Sequence, residues 1–352
     1  MRKMKITSVK AFYPSYKNVA PSWRTHFWQI VVKIETDIGM TGYGYGGGGL
    51  AAVEVVNKHF SEILCLKEIN DTRDIATIWD DLYQQCLPYG RKGIAIMALS
   101  GVDLALWDLV AKSENVPVYK LIGTRSKQQV RTYATGTDIE WYGDSGFTAH
   151  KFPHRWNDES DYQKAINSAE KARSTLGAKA LIMIDTYMSW DRDITLEMSK
   201  ILSPYDIHWF EDVLTPDDLV GQANIRKEVR PTLIAGGEHE FTHHGFMEIA
   251  RSAALDIWQP DITWCGGITA GLRIIKIAEK FGIPVIPHRG GEVWGLHLIV
   301  SSECQDLAEV LPGAKGAHKD ELWAGEPQSE HGYIEPNDRP GFGVAVNEYL
   351  LA

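Results

Sequence analysis

After residue 130 the chain repeats one pattern, in which a short apolar run is followed by an amphipathic stretch with helical periodicity. The polar residue at the end of each run is the feature that most narrows the fold. From Asp185 onward these residues lie 26, 27, 23, 27 and 21 positions apart, the length of a short strand plus a helix. Strands that alternate with helices at this interval predict parallel βα units. The series is Lys151, Asp185, Glu211, Glu238, Asp261, His288 and Glu309.

The number of apolar runs separates two parallel α/β architectures. Eight runs, from VRTYAT at residues 130–135 to LAEVLPG at residues 307–313, favour a closed barrel of the (β/α)8 type. An open, doubly wound sheet is the alternative. In a barrel the carboxyl ends of all strands meet at one mouth, where active sites lie. We therefore expect polar residues that are far apart in sequence to converge there.

The segments on either side of this repeat differ from it. Residues 1–125 indicate an α+β capping domain, because WQIVVKIETDIGMTGYGYG predicts an antiparallel hairpin around TDIG and helical patterns follow it. Residues 126–320 form the predicted barrel. Residues 321–352 carry glycine and proline with little periodicity, and we expect this segment to pack back on the capping domain.

Composition and charge limit the classes of function. A net charge of −10 argues against non-specific nucleic-acid binding, which depends on clustered lysine and arginine. No run of about 18 uncharged apolar residues occurs, so we expect a soluble protein without a membrane span. Four scattered cysteines, and an N-terminus without the apolar core of a secretory signal, favour the cytoplasm.

Three carboxylates at consecutive strand ends predict a metal site. Asp185, Glu211 and Glu238 would repel one another if they were ionised and unpaired, and a divalent cation removes that cost. A set of ligands made only of oxygen favours Mg²⁺ over zinc. Each acid taken alone could be a helix N-cap or a surface salt bridge, but three acids at a near-constant interval favour the metal.

The next two strand ends predict a base. Asp261 beside His288 would fix the tautomer of the imidazole and raise its basicity, although an isolated histidine is more often a core residue. In AHKFPHRW, Lys151 and His154 could face the mouth from the opposite side. Lys151 would then neutralise a substrate carboxylate, and a solvated lysine at the start of a loop is the competing interpretation.

Two further stretches match known sequence motifs, but neither lies in the secondary structure that its motif requires. HEFTH, from His239 to His243, resembles a zinc-protease helix, but it directly follows the strand-like LIAGGE. We interpret the match as chance. GYGYGGGG contains G-x-G-x-x-G, but its strand is half of the predicted hairpin, whereas a dinucleotide site needs a parallel βαβ unit. Nucleotide binding is kept as a weak alternative.

Several of these residues carry a resemblance. ALSGVDLALWDLVAK followed by PVYKLIG resembles the signature helix of the enolase superfamily, mandelate racemase subgroup, and QPDITWCGGIT with PVIPHRGG is similar to its Asp–His dyad. The resemblance implies a modified TIM barrel, (β/α)7β, with an α+β capping domain. It also implies Mg²⁺ held by Asp185, Glu211 and Glu238, and a substrate carboxylate contacted by Glu309.

One departure from that subgroup bears on the reaction. Racemase-like members carry K-x-K at the second strand, and the second lysine is a base, whereas this chain has KFP with Pro153 at that position. Proline cannot take a proton, so a two-base racemase loses support unless His154 substitutes. Together with GEHEFT and PHRGGEVWG, this departure resembles the rhamnonate dehydratase group. Tyr187 also stands where members often have asparagine.

The resemblance implies a Mg²⁺-dependent dehydratase that acts on a small acid sugar, an aldonate similar to L-rhamnonate. His288 would remove the C2 proton to give an enediolate and return a proton to the leaving 3-hydroxyl, which yields a 2-keto-3-deoxy acid. Lys151 would add positive charge, and Glu309, in its protonated form, would donate a hydrogen bond to the substrate carboxylate. Further substrate contacts are expected from Trp23, Arg24, His26, His154 and His239.

Other activities remain open from the sequence. A racemase or epimerase could use His288 with Lys151 or His154, and a cycloisomerase of the same superfamily is a further alternative. A metal-dependent hydrolase loses support because VRTYATG has no H-x-H at the first strand. A non-catalytic metal-binding barrel is the remaining possibility. We expect homo-oligomeric assembly.

Overall fold

An antiparallel sheet of four strands forms the first part of the protein. The computed structural model describes residues 3–15, 28–316 and 322–351. The sheet order is β3-β2-β1-β4, with antiparallel pairing throughout. Because β2 and β3 pair as an antiparallel hairpin, GYGYGGGG does not belong to the parallel βαβ unit that a dinucleotide site needs, and the nucleotide-binding alternative loses its structural basis. The strands are β1 Met4–Phe12, β2 Ile30–Thr36, β3 Thr41–Gly46 and β4 Glu68–Ile69.

Helices cover one face of this sheet and lead into the barrel. The longest, α4, packs against β2 and β3. Asp71 starts α3 with a capping box, in which its side chain accepts from the first turn and Asp74 accepts from the backbone of Asp71. The helices are α1 Gly49–Glu54, a π-helical turn Val55–Phe60, α2 Ser61–Leu64, α3 Thr72–Cys86, α4 Ile94–Ser113 and α5 Val118–Ile122.

Helix α4 is an interior helix. It is long and apolar enough to cross a membrane by length and composition, but 89% of its most apolar window is buried inside the protein. Two aspartates on it are also buried, and both accept backbone hydrogen bonds. Asp103 accepts from Thr269 N at 3.0 Å, and Asp108 accepts from Phe342 N at 3.0 Å. The helix therefore joins the N-terminal sheet to the barrel and to the C-terminal segment.

Close backbone contact between β3 and α4 leads to a stability prediction. A Cβ atom at Gly44 would lie 2.0 Å from Gly101 O and 2.4 Å from Ala105 N, which are backbone atoms of α4. Gly44→Ala is therefore expected to lower the free energy of unfolding by about 1–3 kcal/mol or more, as overpacking does. Urea denaturation measures the change. Gly143→Ala is the control, because a Cβ there meets side-chain atoms and no backbone atom, namely Thr175 Cγ2 at 3.0 Å and Leu176 Cδ2 at 3.6 Å. Equal stability of both variants would contradict the packing argument.

The second part of the protein is a parallel barrel. Its strands run in the order β10-β9-β8-β7-β6-β5-β11. The strand position between β10 and β11 is formed by Val285, which makes a parallel bridge to Trp258. Val285 O also accepts a hydrogen bond from Gln305 N at 3.0 Å, and this contact closes the ring toward β11. The open doubly wound alternative is wrong. The strands are β5 Val130–Thr135, β6 Ala149–Pro153, β7 Leu181–Asp185, β8 Ile207–Glu211, β9 Leu233–Gly236, β10 Ile257–Trp258 and β11 Ala308–Val310.

One side chain from each of the eight strand positions fills the barrel interior. These residues form a core cluster separate from the larger core between barrel and helices. Such a layer is typical of a closed barrel, because inward-facing side chains of all strands meet at its axis. The cluster comprises Tyr133, Ala149, Met183, Trp209, Ala235, Ile257, Ile286 and Leu307.

Seven helices lie between the eight strand positions of the described barrel, which gives the predicted (β/α)7β order. Helix α10 begins at Thr242, so His239 precedes the helix that contains His243 and the zinc-protease geometry is not formed. The helices are α6 Ile139–Asp144, α7 Ser160–Leu176, α8 Arg192–Ile201, α9 Leu219–Glu228, α10 Thr242–Ser252, α11 Gly267–Phe281 and α12 Val293–Val300, with a 3₁₀ turn at Ser203–Tyr205.

The C-terminal segment contacts both parts of the protein. Its strand β13, Tyr333–Ile334, pairs antiparallel with β5, while β12, Trp323–Ala324, pairs with β14, Ala345–Val346. A final 3₁₀ turn spans Glu348–Leu351. Glu348 there receives a hydrogen bond from the Tyr43 hydroxyl and lies 3.3 Å from Lys33 Nζ. The segment thus contacts the N-terminal sheet.

Candidate active site

The polar residues of the sequence repeat all lie at the mouth of the barrel. Asp185 and Glu211 are the last residues of β7 and β8. Glu238 follows β9, Asp261 follows β10, and His288 follows the Val285 bridge. Parallel strands end at the same edge, and the closed ring brings these ends around one axis. The remaining two, Lys151 and Glu309, lie within β6 and β11.

Lys151 lies among carboxylates. Its Nζ contacts Glu211 Oε1 and lies 2.9 Å from Glu309 Oε1 and 4.0 Å from Asp185 Oδ2. The side chain is 1% exposed, so the interpretation of Lys151 as a solvated loop lysine is wrong. Burial alone would lower the pKa of Lys151, but Glu211 and Glu309 raise it well above its usual value. Lys151 is therefore a charged ammonium group that neutralises part of the mouth.

Glu309 is ionised, contrary to the expectation that it is protonated. Burial would raise its pKa, but Lys151 and His288 lower the pKa of Glu309 to about 2. Its oxygens accept hydrogen bonds from the Thr135 hydroxyl and, at 2.8 Å, from Arg289 N. Both donors stabilise the ionised carboxylate, and in that form it has no proton to donate. The physical reason for the correction is the proximity of Lys151, which the sequence spacing does not reveal.

Asp261 and His288 form the predicted pair. His288 Nδ1 lies 2.8 Å from Asp261 Oδ2. Burial would raise the pKa of Asp261, but Arg289 and His288 hold it well below its usual value. Because the carboxylate is ionised, Nδ1 is the donor, and Nε2 faces Glu238 Oε2 at 3.4 Å and Glu309 Oε2 at 3.9 Å. Burial would lower the pKa of His288, but Glu238, Asp261 and Glu309 raise it to about 9.

Four carboxylates around this pair, Asp185, Glu211, Asp212 and Glu238, form what we name the carboxylate cluster. Burial raises the pKa of Asp185 to about 7 and the pKa values of Asp212 and Glu238 well above their usual range. Raised carboxyl pKa values mean that negative charge is under-compensated there, even with Lys151 nearby. A divalent cation matches that charge and the oxygen donors, so the cluster could bind one.

The predicted metal ligands differ in how close they lie to one another and in the hydrogen bonds that they already make. Ligand atoms of Asp212, Glu238 and His239 lie within 4.8 Å of one another. Glu211 is instead occupied by hydrogen bonds, because its Oε1 contacts Lys151 and its Oε2 accepts from Trp209 Nε1 at 3.0 Å and Gln259 Nε2 at 2.7 Å. Within the described residues, the set of Asp185, Glu211 and Glu238 is thus at one mouth but not gathered around one point. The excess of negative charge still favours a bound cation, which would draw these carboxylates together.

The raised pKa of Asp185 leads to a prediction about metal affinity. Below about pH 7 a cation must displace a proton from Asp185, and above it the carboxylate is already available. Affinity for Mg²⁺ is therefore expected to rise by up to about tenfold per pH unit between about pH 5 and about pH 7 and to level off above that range. Calorimetric titration in two buffers of different protonation enthalpy measures affinity and proton release. Affinity that is constant over this range would contradict the prediction.

The remaining predicted substrate residues divide into three groups. His239 Nε2 lies 3.5 Å from Glu238 Oε1, and its ring stacks on Trp264, which places it at the mouth. His154 does not join them, because its Nε2 bonds to Asp161 O at 2.9 Å and its ring packs on Trp190. The expectation that His154 faces the mouth is wrong, since alternation along β6 turns Lys151 inward and His154 outward. Trp23, Arg24 and His26 lie outside the described residues.

Four residues of the site were not identified from the sequence. Asp212 follows Glu211 directly and is turned toward the mouth by a left-handed backbone with φ of 48°. Arg289 donates through Nε and Nη2 to Asp261 Oδ2 at 2.9 and 2.7 Å, and Thr263 Oγ1 donates to Asp261 Oδ1 at 2.8 Å. Trp264 packs on His288 with ring centroids 5.5 Å apart. The only sequence signal for these four residues is that each lies close along the chain to a predicted site residue.

Comparison with known proteins agrees with this geometry. Residues 14–123 match the family described as mandelate racemase / muconate lactonizing enzyme, N-terminal domain, and residues 137–350 match the family described as enolase C-terminal domain-like. A relative from Caldivirga maquilingensis, named "Putative L-rhamnonate dehydratase", is 33% identical over 350 residues, which cover 97% of this chain and 87% of the relative.

Two crystal structures of similar proteins cover nearly the whole chain. Rhamnonate dehydratase from Gibberella zeae complexed with Mg has a TM-score of 0.89 at 30% identity, and the match covers 99% of this chain and 95% of that one. The 3,6-anhydro-D-galactonate cycloisomerase from Zobellia galactanivorans has a TM-score of 0.87 at 26% identity, and the match covers 99% of each chain.

Proposed function

The chain belongs to the mandelate racemase / muconate lactonizing enzyme family of the enolase superfamily, and from this premise we propose that it is a Mg²⁺-dependent dehydratase of L-rhamnonate-like sugar acids. The observation that carries the proposal is that neither Lys151 nor His154 is available at the mouth as a second base. Lys151 is charged and paired with Glu211 and Glu309, and His154 faces away. A two-base racemase that pairs His288 with Lys151 or His154 therefore loses support, whereas a dehydration can proceed with His288 alone.

His288 would act twice in this reaction. In its neutral form, which a cation that offsets the charge of Glu238 would favour, its Nε2 takes the C2 proton, while Asp261 holds Nδ1 and stabilises the imidazolium that forms. The same nitrogen then gives a proton to the departing 3-hydroxyl. This order requires the C2 proton and the hydroxyl on the same face of the substrate, which is a syn elimination. The product is an enol that becomes a 2-keto-3-deoxy acid.

The charges around His288 would stabilise the negative charge that develops on the substrate carboxylate. Mg²⁺ supplies Lewis-acid stabilisation of that charge when it is bound. Lys151 adds a fixed positive charge in a buried setting, where electrostatic interactions are strong. Because Glu309 is ionised, it cannot donate a hydrogen bond to the substrate carboxylate, and we assign it another role. It holds Lys151 in place and can accept from a substrate hydroxyl.

The proposed Mg²⁺ ligands are Asp185, Glu211 and Glu238, with Asp212 as an additional candidate. The similarity to rhamnonate dehydratase from Gibberella zeae, whose structure is a complex with Mg, supports the choice of metal. Glu211 would have to exchange its contact with Lys151 for the cation. His239 would bind substrate beside Glu238, together with Arg24 and His26. A cytoplasmic location and a homo-oligomeric state remain predictions.

A substrate screen tests the function. The protein is incubated with a panel of acid sugars and Mg²⁺, and 2-keto acids are detected as semicarbazones. Turnover of an L-rhamnonate-like aldonate that EDTA abolishes is the expected result. Exchange of the C2 proton with D₂O without keto-acid formation would instead indicate a racemase or epimerase. Because the chain is similar to the 3,6-anhydro-D-galactonate cycloisomerase from Zobellia galactanivorans, the panel must include a 3,6-anhydro sugar acid. Turnover of that compound would indicate a cycloisomerase.

A further inference from the structure

Gln29 belongs to the N-terminal part of the chain but forms its side-chain hydrogen bonds with the barrel mouth. It lies one residue before β2 and is 1% exposed. Its Nε2 donates to Thr263 Oγ1 at 3.2 Å, and its Oε1 accepts from Trp264 Nε1 at 3.0 Å. The donor and the acceptor of one amide are thus bound by two consecutive residues of the loop after β10. This arrangement fixes the amide in one orientation.

Thr263 connects Gln29 to the carboxylate of the dyad. Its hydroxyl donates to Asp261 Oδ1 at 2.8 Å and accepts from Gln29 and from Arg289 Nη2. A threonine hydroxyl has one donor and two acceptor positions, so all three are in use. The backbone N–H of Thr263 also donates to Asp261 Oδ1, at 2.7 Å. Gln29 is therefore two hydrogen bonds away from Asp261.

Trp264 connects Gln29 to the imidazole of the dyad. The Trp264 and His288 ring centroids are 5.5 Å apart, and the Arg289 guanidinium carbon lies 5.0 Å from the Trp264 ring centroid. Trp264 is 4% exposed and His288 is 6% exposed, so neither ring has room to turn without displacing the other. The hydrogen bond from Trp264 to Gln29 therefore restrains the surface against which His288 packs.

We propose that Gln29 is a positioning residue that aligns the Asp261–His288 pair through Thr263 and Trp264. The N-terminal part would then contribute to catalysis through the orientation of the base, and not only through contacts with substrate. A base that is misplaced by a fraction of an ångström loses much of its effect, because proton transfer depends steeply on geometry. The effect on turnover rests on the proposed dehydratase function, whereas the effect on His288 does not.

Gln29→Met tests this role in the Mg²⁺-saturated protein. Methionine keeps the length of the side chain and removes both hydrogen bonds. The first readout is the Nδ1 resonance of His288 in protein labelled with ¹⁵N-histidine, assigned by its disappearance in His288→Asn. We expect this resonance to shift in Gln29→Met. The second readout is kinetic, and we expect kcat to fall by about 10–100-fold with KM within about twofold of the wild-type value.

Gln222→Met is the matched control. Gln222 is a buried glutamine of α9 whose Nε2 donates to Thr215 O at 3.1 Å, far along the chain from the dyad. We expect it to lower stability while leaving the His288 resonance and kcat unchanged. Thr263→Val supplies a second comparison. Because Gln29 acts in part through Thr263, the fall in kcat in the variant carrying both Gln29→Met and Thr263→Val should be smaller than the product of the two single falls, and a fully multiplicative fall would contradict the shared path.

The outcomes separate the two proposals. An unchanged His288 resonance in folded Gln29→Met overturns the positioning role, whatever the substrate. A rise in KM with kcat unchanged also overturns it, because that result indicates a substrate contact. A wild-type protein that dehydrates no acid sugar overturns the proposed function, and the resonance then decides on Gln29 by itself.

Discussion

Turnover falls by about 10²–10⁴-fold in His288→Asn, which is the expected contribution of a positioned general base. The reason lies in the placement of the two ring nitrogens, because Nδ1 bonds to Asp261 and Nε2 faces the carboxylate cluster. Asparagine retains a polar group of similar reach but cannot take a proton near neutral pH. The measurement is kcat for keto-acid formation, together with the rate of C2 proton exchange in D₂O. Both rates fall together if one residue performs both proton transfers.

Metal binding provides the control for this variant. His288 is not among the proposed ligands, so Mg²⁺ affinity measured by calorimetry should stay within about threefold of the wild-type value. His208→Asn is the matched histidine variant, since His208 is the second residue of β8 and Glu211 is the last. It should retain full turnover. Full activity of His288→Asn would refute the mechanism, and joint loss of activity and metal affinity would refute the separation of roles.

The second large effect is expected at Lys151. Lys151→Met removes the ammonium group between Glu211 and Glu309 and leaves buried carboxylates unpaired. Breaking a buried ion pair in this way costs about 3–5 kcal/mol, so the free energy of unfolding in EDTA should fall by about that amount at neutral pH. Turnover should fall as well, since the fixed positive charge is lost. Urea denaturation in EDTA measures the first effect and the keto-acid assay measures the second.

The loss of stability in Lys151→Met should depend on pH. Without the ammonium group the pKa of Glu309 rises in the folded state, which then binds more protons than the unfolded state. Stability therefore increases as the pH falls through that raised value, and the deficit relative to the wild type shrinks. Saturating Mg²⁺ should also restore part of the stability. Lys171→Met is the control, because its ion pair with Glu140 is exposed and of little consequence. Stability equal to that of the wild type at all pH values would contradict the argument.

The sequence predicts the parts of the site that depend on strand periodicity. Polar residues at the ends of apolar runs, such as Asp185 and His288, are local signals, and the barrel converts their regular spacing into proximity. The predictions of a parallel barrel and of an antiparallel hairpin are confirmed for the same reason, because the alternation of strand and helix patterns can be seen in the sequence itself. The family resemblance is confirmed by matches that extend over most of the chain.

The features that the sequence did not predict depend on local backbone geometry or on distant neighbours. Asp212 reaches the mouth because of a left-handed residue after β8, which periodicity cannot predict. His154 faces away because β6 continues in register to Pro153, paired with Asp185. The charge of Glu309 is decided by Lys151, from a different strand. Contacts between Gln29 and Thr263 join residues that are 234 positions apart, and no local pattern marks them.

The contacts of α4 and the C-terminal segment have a consequence for the order in which the chain can mature during synthesis. The N-terminal sheet and α4 leave the ribosome first. However, Asp108 accepts a hydrogen bond from the backbone N–H of Phe342, and Leu350 O accepts one from Ser15 N at 2.6 Å. Until those late residues emerge, the early domain exposes apolar and polar groups that the finished protein buries. Nascent chains stalled before residue 342 are therefore expected to be protease-sensitive and dependent on chaperones, even though their own sheet is complete.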